Sequence, residues 1–192
     1  MPNAFTTAQQ VAPQTREQWR AWLAGHHDQP AGVWVVSWRR HTGKPAMTYE
    51  EQILEAVAFG WVDSTAKTLD PDRSMLYFAP RRRGSGWARS NKERVTALEA
   101  AGLLAEPGRR AVEAAKADGS WTMLDDVEAL VVPPDLAGAF DRHPGSRERW
   151  DASTVSSRRQ ALGWIAQAKR ATTRAQRIEH VAAATARGEG PR

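Results

Sequence analysis

The segment 78–94 has the residue types best suited to binding an anion. It reads FAPRRRGSGWARSNKER, and we call it the basic loop because Glu93 alone opposes its six basic residues. A helix start follows its glycines, and a helix N-terminus beside guanidinium groups favours negative charge. The loop therefore predicts an anion site, with these candidate ligand-binding residues: Arg81, Arg82, Trp87, Arg89, Asn91 and Lys92.

A second basic group lies near the C-terminus. Arg174 and Arg177 are spaced one helical turn apart, and Lys169 lies just before the turn that leads into their helix. Two arginines in this arrangement can hold one phosphate or carboxylate through several hydrogen bonds. We expect Lys169, Arg174 and Arg177 to complete the anion site if their helix meets the basic loop. The alternative is that the arginines pair with acidic side chains from the middle of the chain.

Asp63 and Lys67 form a third candidate. Both belong to a strand-like run in which Trp61, Asp63 and Lys67 share one face by the period of two. As functional groups they are an acid and a base that face a pocket walled by Trp61 and Trp87. As structural groups they are a same-face pair, or Asp63 orients an arginine of the basic loop.

Several kinds of chemistry have no sequence signal. Cysteine is absent, which excludes disulfides, thiolate catalysis and cysteine-ligated metals. The five histidines have no i, i+4 pair, the GSG around Ser85 lacks the spacing of a nucleophile elbow, and no nucleotide-binding fingerprint is present. We therefore predict no catalytic residue, no metal and no cofactor. An enzyme acting on a small acidic metabolite stays an alternative, because residues assembled from distant positions leave no local motif.

Charge is unevenly distributed along the chain, whose net charge is +5. Basic segments at 81–94 and 152–192 flank an acidic one at 95–151. If the basic segments meet, they attract phosphate-bearing partners; otherwise the acidic segment neutralises both. The predicted partner is an anionic or phosphate-bearing small molecule, and the interleaved tryptophans make nucleic acid a second possibility. No apolar run of transmembrane length or secretory signal is visible, so we expect a cytoplasmic location.

Three strands and a series of helices must position these residues. Strands are predicted for VWVVSWRR after Gly32, for Trp61–Leu69 and for the returning run MLYFA, which leads into the basic loop. Thr15, Thr48 and Ser90 each precede a helical pattern by one residue, with Gln18, Glu51 and Glu93 as capping-box partners. Further helices are predicted after Pro107 and, past an irregular stretch at 121–132, at 135–142, 146–150, 154–169 and from Thr172 or Thr173.

These elements predict an α+β fold with a small, mostly antiparallel sheet of about three strands, several helices and a helical C-terminal part. We expect a flexible N-terminus at 1–14, an α+β core with the basic loop at 15–132, a helical part at 133–187 packed on that core as one unit, and a frayed tail at 188–192.

Four pieces, in their order and spacing, resemble the YdeI/OmpD-associated family, also labelled bacteriocin-protection proteins. They are FGWVDSTAKTLD, FAPRRRGSGWARSNK, the GSW of Gly119–Trp121 and AKRATTRAQRI, and the resemblance covers about residues 15–190. Val62 stands where the family motif GWID has isoleucine, and Arg83 adds charge to the loop. The resemblance implies an α+β bacterial protein, protection against bacteriocins and cationic peptides, and association with an outer-membrane porin. It implies no catalytic residue and no cofactor.

Overall fold

The computed structural model describes residues 4–190. The outermost parts of the predicted flexible N-terminus and frayed tail, 1–3 and 191–192, lie outside the described residues. The strands are β1 (Gln10–Val11), β2 (Val33–Trp38), β3 (Trp61–Thr68) and β4 (Arg73–Pro80), and a 3₁₀ turn spans Arg40–Thr42. The α-helices of the described part are α1 (Ala4–Thr7), α2 (Arg16–His26), α3 (Tyr49–Ala58), α4 (Arg89–Ala100), α5 (Glu106–Asp118), α6 (Asp125–Glu128), α7 (Pro134–Arg142), α8 (Ser146–Ala152), α9 (Val155–Ala166) and α10 (Ala171–Ala186).

The predicted α+β class is confirmed, but the sheet is larger and more mixed than expected. Among residues 4–190 it has four strands in the order β1-β2-β4-β3, instead of about three. β1 pairs parallel with β2, whereas β2–β4 and β3–β4 are antiparallel. The additional strand is two residues long and lies within the segment predicted to be flexible. A two-residue strand has too few positions to show an alternating pattern, so sequence periodicity does not reveal it.

A register shift in β3 overturns the predicted shared face of Asp63 and Lys67. Asp63 lies opposite Phe78, but Ala66 lies opposite Leu76 and Lys67 opposite Met75, so the register changes between Asp63 and Ala66. One extra residue in a strand moves every later side chain to the other face. Lys67 consequently lies on the far side of the sheet from Asp63.

Helix caps follow the predicted pattern at two of three positions. The Thr15 side chain accepts the N–H of Gln18, and the capping box between Thr48 and Glu51 is complete in both directions. α4 begins at Arg89, so Ser90 lies inside the first turn and is not the N-cap that we predicted.

The described residues divide into two compact units. The N-terminal unit contains the chain up to Ser85 together with Ser90–Asp118. The C-terminal unit contains Gly86–Arg89 and the chain from Gly119 onward. The helical part was predicted to start at residue 133, whereas this unit starts at Gly119 and also takes four residues from the basic loop.

In the N-terminal unit, α2 and α3 pack against each other, and Trp19 of α2 also contacts Phe78 of the sheet, with ring centres 5.5 Å apart. Glu55 of α3 is 1% exposed, and its carboxylate accepts from Arg16 Nε and from Arg20 Nη1, the latter at 2.7 Å. The indole N–H of Trp19 donates to the Gln52 carbonyl at 3.1 Å. These contacts fix α3 against α2, because a buried carboxylate needs charged partners to offset its lost hydration.

The C-terminal unit has its own apolar core. Its buried side chains come from α6 to α10 and are Val127, Leu136, Ala139, Phe140, Trp150, Ala161, Leu162, Ile165, Ile178, Val181 and Ala182.

We expect the double substitution Arg16→Met and Arg20→Met to lower the free energy of unfolding by about 3 kcal/mol, because Glu55 stays buried without a counter-charge. Adding Glu55→Met should recover most of that loss, since no unpaired charge then remains. Urea denaturation of the three proteins measures both effects.

The matched control is Arg109→Met with Arg110→Met in α5. These arginines pair with Glu106 on the surface of the same unit, so the expected loss is below about 1 kcal/mol. Equal losses in the two double variants would show that burial of Glu55 does not matter.

Candidate anion-binding site

A cleft of about 690 Å³ opens on the sheet face of the N-terminal unit that α3 partly covers. This volume is within the range of small-molecule pockets in proteins. Its floor consists of side chains from β2, β3 and β4, and its walls come from the turn after β2 and from the start of α3. The lining residues are Val35, Ser37, Trp38, Arg39, Arg40, His41, Met47, Tyr49, Gln52, Ala66, Ser74, Met75 and Leu76.

The turn after β2 makes one wall of the cleft basic. Arg39 donates from Nη2 to Thr68 Oγ1 at 2.7 Å, which leaves most of its guanidinium for other partners. His41 Nε2 lies 3.1 Å from Oδ1 of Asp72, a residue that does not line the cleft. Within residues 4–190, no carboxylate lies within ion-pair distance of Arg40, and none lines the cleft. The cleft therefore has a positive side suited to an anion.

The start of α3 forms the opposite wall. The Tyr49 hydroxyl donates to Asp63 Oδ2 at 2.9 Å, which holds the ring at the rim. The Gln52 side chain, 6% exposed, donates from Nε2 to Ser37 Oγ and to the Met47 carbonyl, both at 3.3 Å. The capping box of α3 uses the N–H groups of Thr48 and Glu51.

Two buried polar atoms in these walls have no hydrogen-bond partner among the described residues. They are Arg39 Nε, a donor, and Gln52 Oε1, an acceptor. The Met47 carbonyl can only accept, so the Gln52 NH₂ group faces it and Oε1 points elsewhere. A buried polar atom without a partner costs about 1–3 kcal/mol, and native proteins keep few of them.

Asp63 lies beside the cleft at the centre of a charged group. Burial lowers the pKa of Arg81 to about 10, and the negative charge of Asp63 opposes that shift, so Arg81 stays charged at neutral pH. Asp63 therefore interacts with an arginine of the basic loop. Nearby, Arg94 binds Glu50 through two hydrogen bonds of 2.7 and 2.6 Å and donates to Asn91 Oδ1 at 2.9 Å.

The basic loop is divided between the two units. Arg81 and Arg82 belong to the N-terminal unit, where Arg82 is exposed and has no ion pair within the described part of the chain. Asn91 and Lys92 belong to the same unit and are half-buried. Arg89, in the C-terminal unit, is exposed.

Neither tryptophan predicted to wall a pocket presents a surface to a ligand. Trp61 and Trp87 are each 1% exposed. The Trp61 N–H donates to the His27 carbonyl at 3.2 Å, and the Trp87 ring lies 5.1 Å from that of Trp121. Trp87 is thus unavailable for stacking on a base, the contact that favoured nucleic acid as a partner. Lys67 lies with its Nζ 5.2 Å from the centre of the Trp34 ring.

Arg174 and Arg177 of α10 have partners inside the C-terminal unit. Arg174 binds both oxygens of Asp135, at 2.7 and 3.0 Å, which is the alternative of pairing with the acidic middle segment. Arg177 donates to the Trp164 carbonyl and stacks on the Trp164 ring. Lys169 is exposed. A site that combines these residues with the basic loop stays a prediction.

The residues that line the cleft are not among those predicted from the sequence to bind a ligand. The sequence does contain a signal for them. The run WRRHTGK places two arginines and a histidine at the end of a buried strand. The basic loop has more charge, so the anion site is predicted there instead. Gln52 carries no such signal, since a glutamine within a helix is usually solvated.

Two family matches cover most of the chain. Residues 11–111, more than half of the sequence, match the family described as Domain of unknown function (DUF8412). Residues 129–188 match the family described as Bacteriocin-protection, YdeI or OmpD-Associated. The chain belongs to the DUF8412 family and carries a YdeI/OmpD-associated domain. The resemblance to the latter family is confirmed, and its match is confined to 129–188, which contains AKRATTRAQRI but none of the other three pieces.

No match was found among curated proteins or among solved structures. Between residues 4 and 190, each helix is either too short or too polar to cross a lipid bilayer.

The Arg174–Asp135 pair in the YdeI/OmpD-associated domain should stabilise the protein in a pH-dependent way. The hydrogen bonds from Arg174 are the main cause that lowers the pKa of Asp135. The stabilisation is therefore fully present above the unfolded-state pKa of about 3.9 and is lost as the pH falls through the lower folded-state value. We expect a coupling of about 0.5 kcal/mol near neutral pH, because both side chains are partly solvated.

A double-mutant cycle of Arg174→Met and Asp135→Asn, measured by urea unfolding, tests this pair. The coupling should be smaller at about pH 3 than at neutral pH, because acid begins to protonate the Asp135 carboxylate. A coupling of the same size at both pH values would contradict an ionic interaction.

Proposed function

We propose that this protein binds a small anionic molecule, carboxylated or phosphorylated, in the cleft of the N-terminal unit. The observation that carries the proposal is the lining of the cleft, which contains Arg39, Arg40 and His41 but, among the described residues, no carboxylate. An anion entering this space gains attraction from both arginines and meets no repelling charge in the lining.

Arg40 is the best-placed primary contact. It is exposed, lines the cleft and has no competing carboxylate within residues 4–190. Arg39 supplies a second guanidinium whose buried Nε has no partner there. Arginine suits this role because its planar fork can donate two parallel hydrogen bonds to one carboxylate or phosphate.

The basic loop is the alternative position for the same anion. In this version Arg82 is the contact in the N-terminal unit, and Asp63 orients the half-buried Arg81. The match to a family described by bacteriocin protection supports a role in protection against antimicrobial peptides, and the proposal keeps the cytoplasmic location expected from the sequence. We propose binding without catalysis.

The test compares Arg40→Gln, Arg82→Gln and Arg83→Gln. All three arginines are exposed, belong to the same unit and have no ion pair in the described part, so each variant removes one equivalent charge. Calorimetric titration with inorganic phosphate, citrate and glutamate measures affinity, with glutamine as the analogue of glutamate that lacks the side-chain carboxylate. We expect Arg40→Gln to weaken binding about tenfold, because one charge-assisted hydrogen bond is lost.

Arg83→Gln is the control and should change affinity by less than about twofold if long-range attraction alone is altered. A selective loss in Arg82→Gln would move the anion site to the basic loop. Equal small losses in all three variants, or no binding of any acid by the natural chain, would refute the cleft as an anion site.

A further inference from the structure

We infer that the ligand of the cleft carries an N–H donor as well as an anionic group, so that it is a small acid of the amino-acid or N-acyl-amino-acid class. This inference rests on the proposed function and specifies its ligand. It comes from two buried polar atoms in the walls of the cleft, one a hydrogen-bond acceptor and the other a donor. Neither has a hydrogen-bond partner among the described residues.

The first of these atoms is an acceptor. Gln52 Oε1 is buried from solvent and has no hydrogen-bond partner among residues 4–190. The Nε2 atom of the same amide makes two bonds of 3.3 Å, to Ser37 Oγ and to the Met47 carbonyl, and both are long for hydrogen bonds. The amide can therefore turn towards the cleft with little loss, and a ligand N–H would complete it.

The second atom is a donor. Arg39 Nε is buried without a partner, while Nη2 of the same guanidinium is held by Thr68 Oγ1 at 2.7 Å. That bond fixes the plane of the group, so the free N–H has a defined direction. An anionic oxygen is the natural partner, since hydrogen bonds from a charged donor to an anion are the strong ones.

The two atoms are linked through β2 and the residue after it. Ser37 of β2 contacts the Gln52 amide, and Arg39 follows the strand in an extended conformation. Side chains two apart on extended backbone lie on the same side, and both Gln52 and Arg39 line the cleft. Acceptor and donor therefore lie within the reach of one small molecule. Apolar side chains of Val35, Met47 and Leu76 also line the cleft and suit a short carbon chain between the two polar ends.

The experiment uses the full chain and two acids that differ in one group. N-acetylglycine has an amide N–H, and acetoxyacetate has an ester oxygen at the same position. Affinities come from calorimetric titration, with inorganic phosphate as an anion that lacks an N–H. We expect N-acetylglycine to bind about five- to tenfold more tightly than acetoxyacetate, the value of one hydrogen bond to a buried acceptor.

Gln52→Met keeps the length of the side chain and removes its acceptor. It should abolish the preference for N-acetylglycine over acetoxyacetate. Gln52→Glu keeps an acceptor and adds a negative charge, so it should weaken all three anions. The thermal midpoint and near-ultraviolet circular dichroism check that both variants fold.

The outcomes separate the inference from the proposed function. If acetoxyacetate and phosphate bind but N-acetylglycine binds no more tightly than acetoxyacetate, Gln52 does not accept a hydrogen bond from the ligand. The inference then fails, while the proposed anion binding stands. If none of the three binds, both fail. If Gln52→Met does not fold, the comparison of the two acids on the natural chain still decides.

Discussion

Glu55 is a carboxylate that folding removes from water, and the geometry of the N-terminal unit depends on its two arginine partners. Arg16 and Arg20 of α2 hold Glu55 of α3, which fixes the rotation and height of α3 above the sheet. Tyr49 and Gln52 lie on the same helix, so the ion pair of Glu55, one helical turn after Gln52, helps to position the wall of the cleft. A buried charge that is fully paired tolerates little movement, because any displacement exposes an uncompensated charge.

The register of β3 is the second constraint on the site. The shift between Asp63 and Ala66 places Asp63 on the face covered by α3 and sends Lys67 to the opposite face. Without that shift the strand would present an acid and a base together, as its alternation suggests. With it, Asp63 interacts with Tyr49 and Arg81 instead, and Lys67 lies over Trp34.

The basic loop shows how a charge cluster differs from a binding surface. Arg81 is largely buried and electrostatically linked to Asp63, and Arg94 is held by Glu50. Gly86 allows Leu124 to approach, because a side chain there would lie 2.8 Å from it, and Trp87 is buried. Several members of the cluster thus organise the fold, whereas Arg39 and Arg40, in a shorter basic run, line an open cleft.

Features that depend on neighbouring residues can be predicted from the sequence. The helix caps at Thr15 and Thr48 depend on contacts within a few residues, and both are present in the structure. The α+β class follows from local patterns of apolar residues, and it is confirmed. The two-residue β1, the register shift in β3, the pairing of Arg174 with Asp135 and the unsatisfied amide of Gln52 depend on residues far apart in the chain. Only tertiary structure decides them, because which charges are paired and which polar atoms are buried is set by packing between elements.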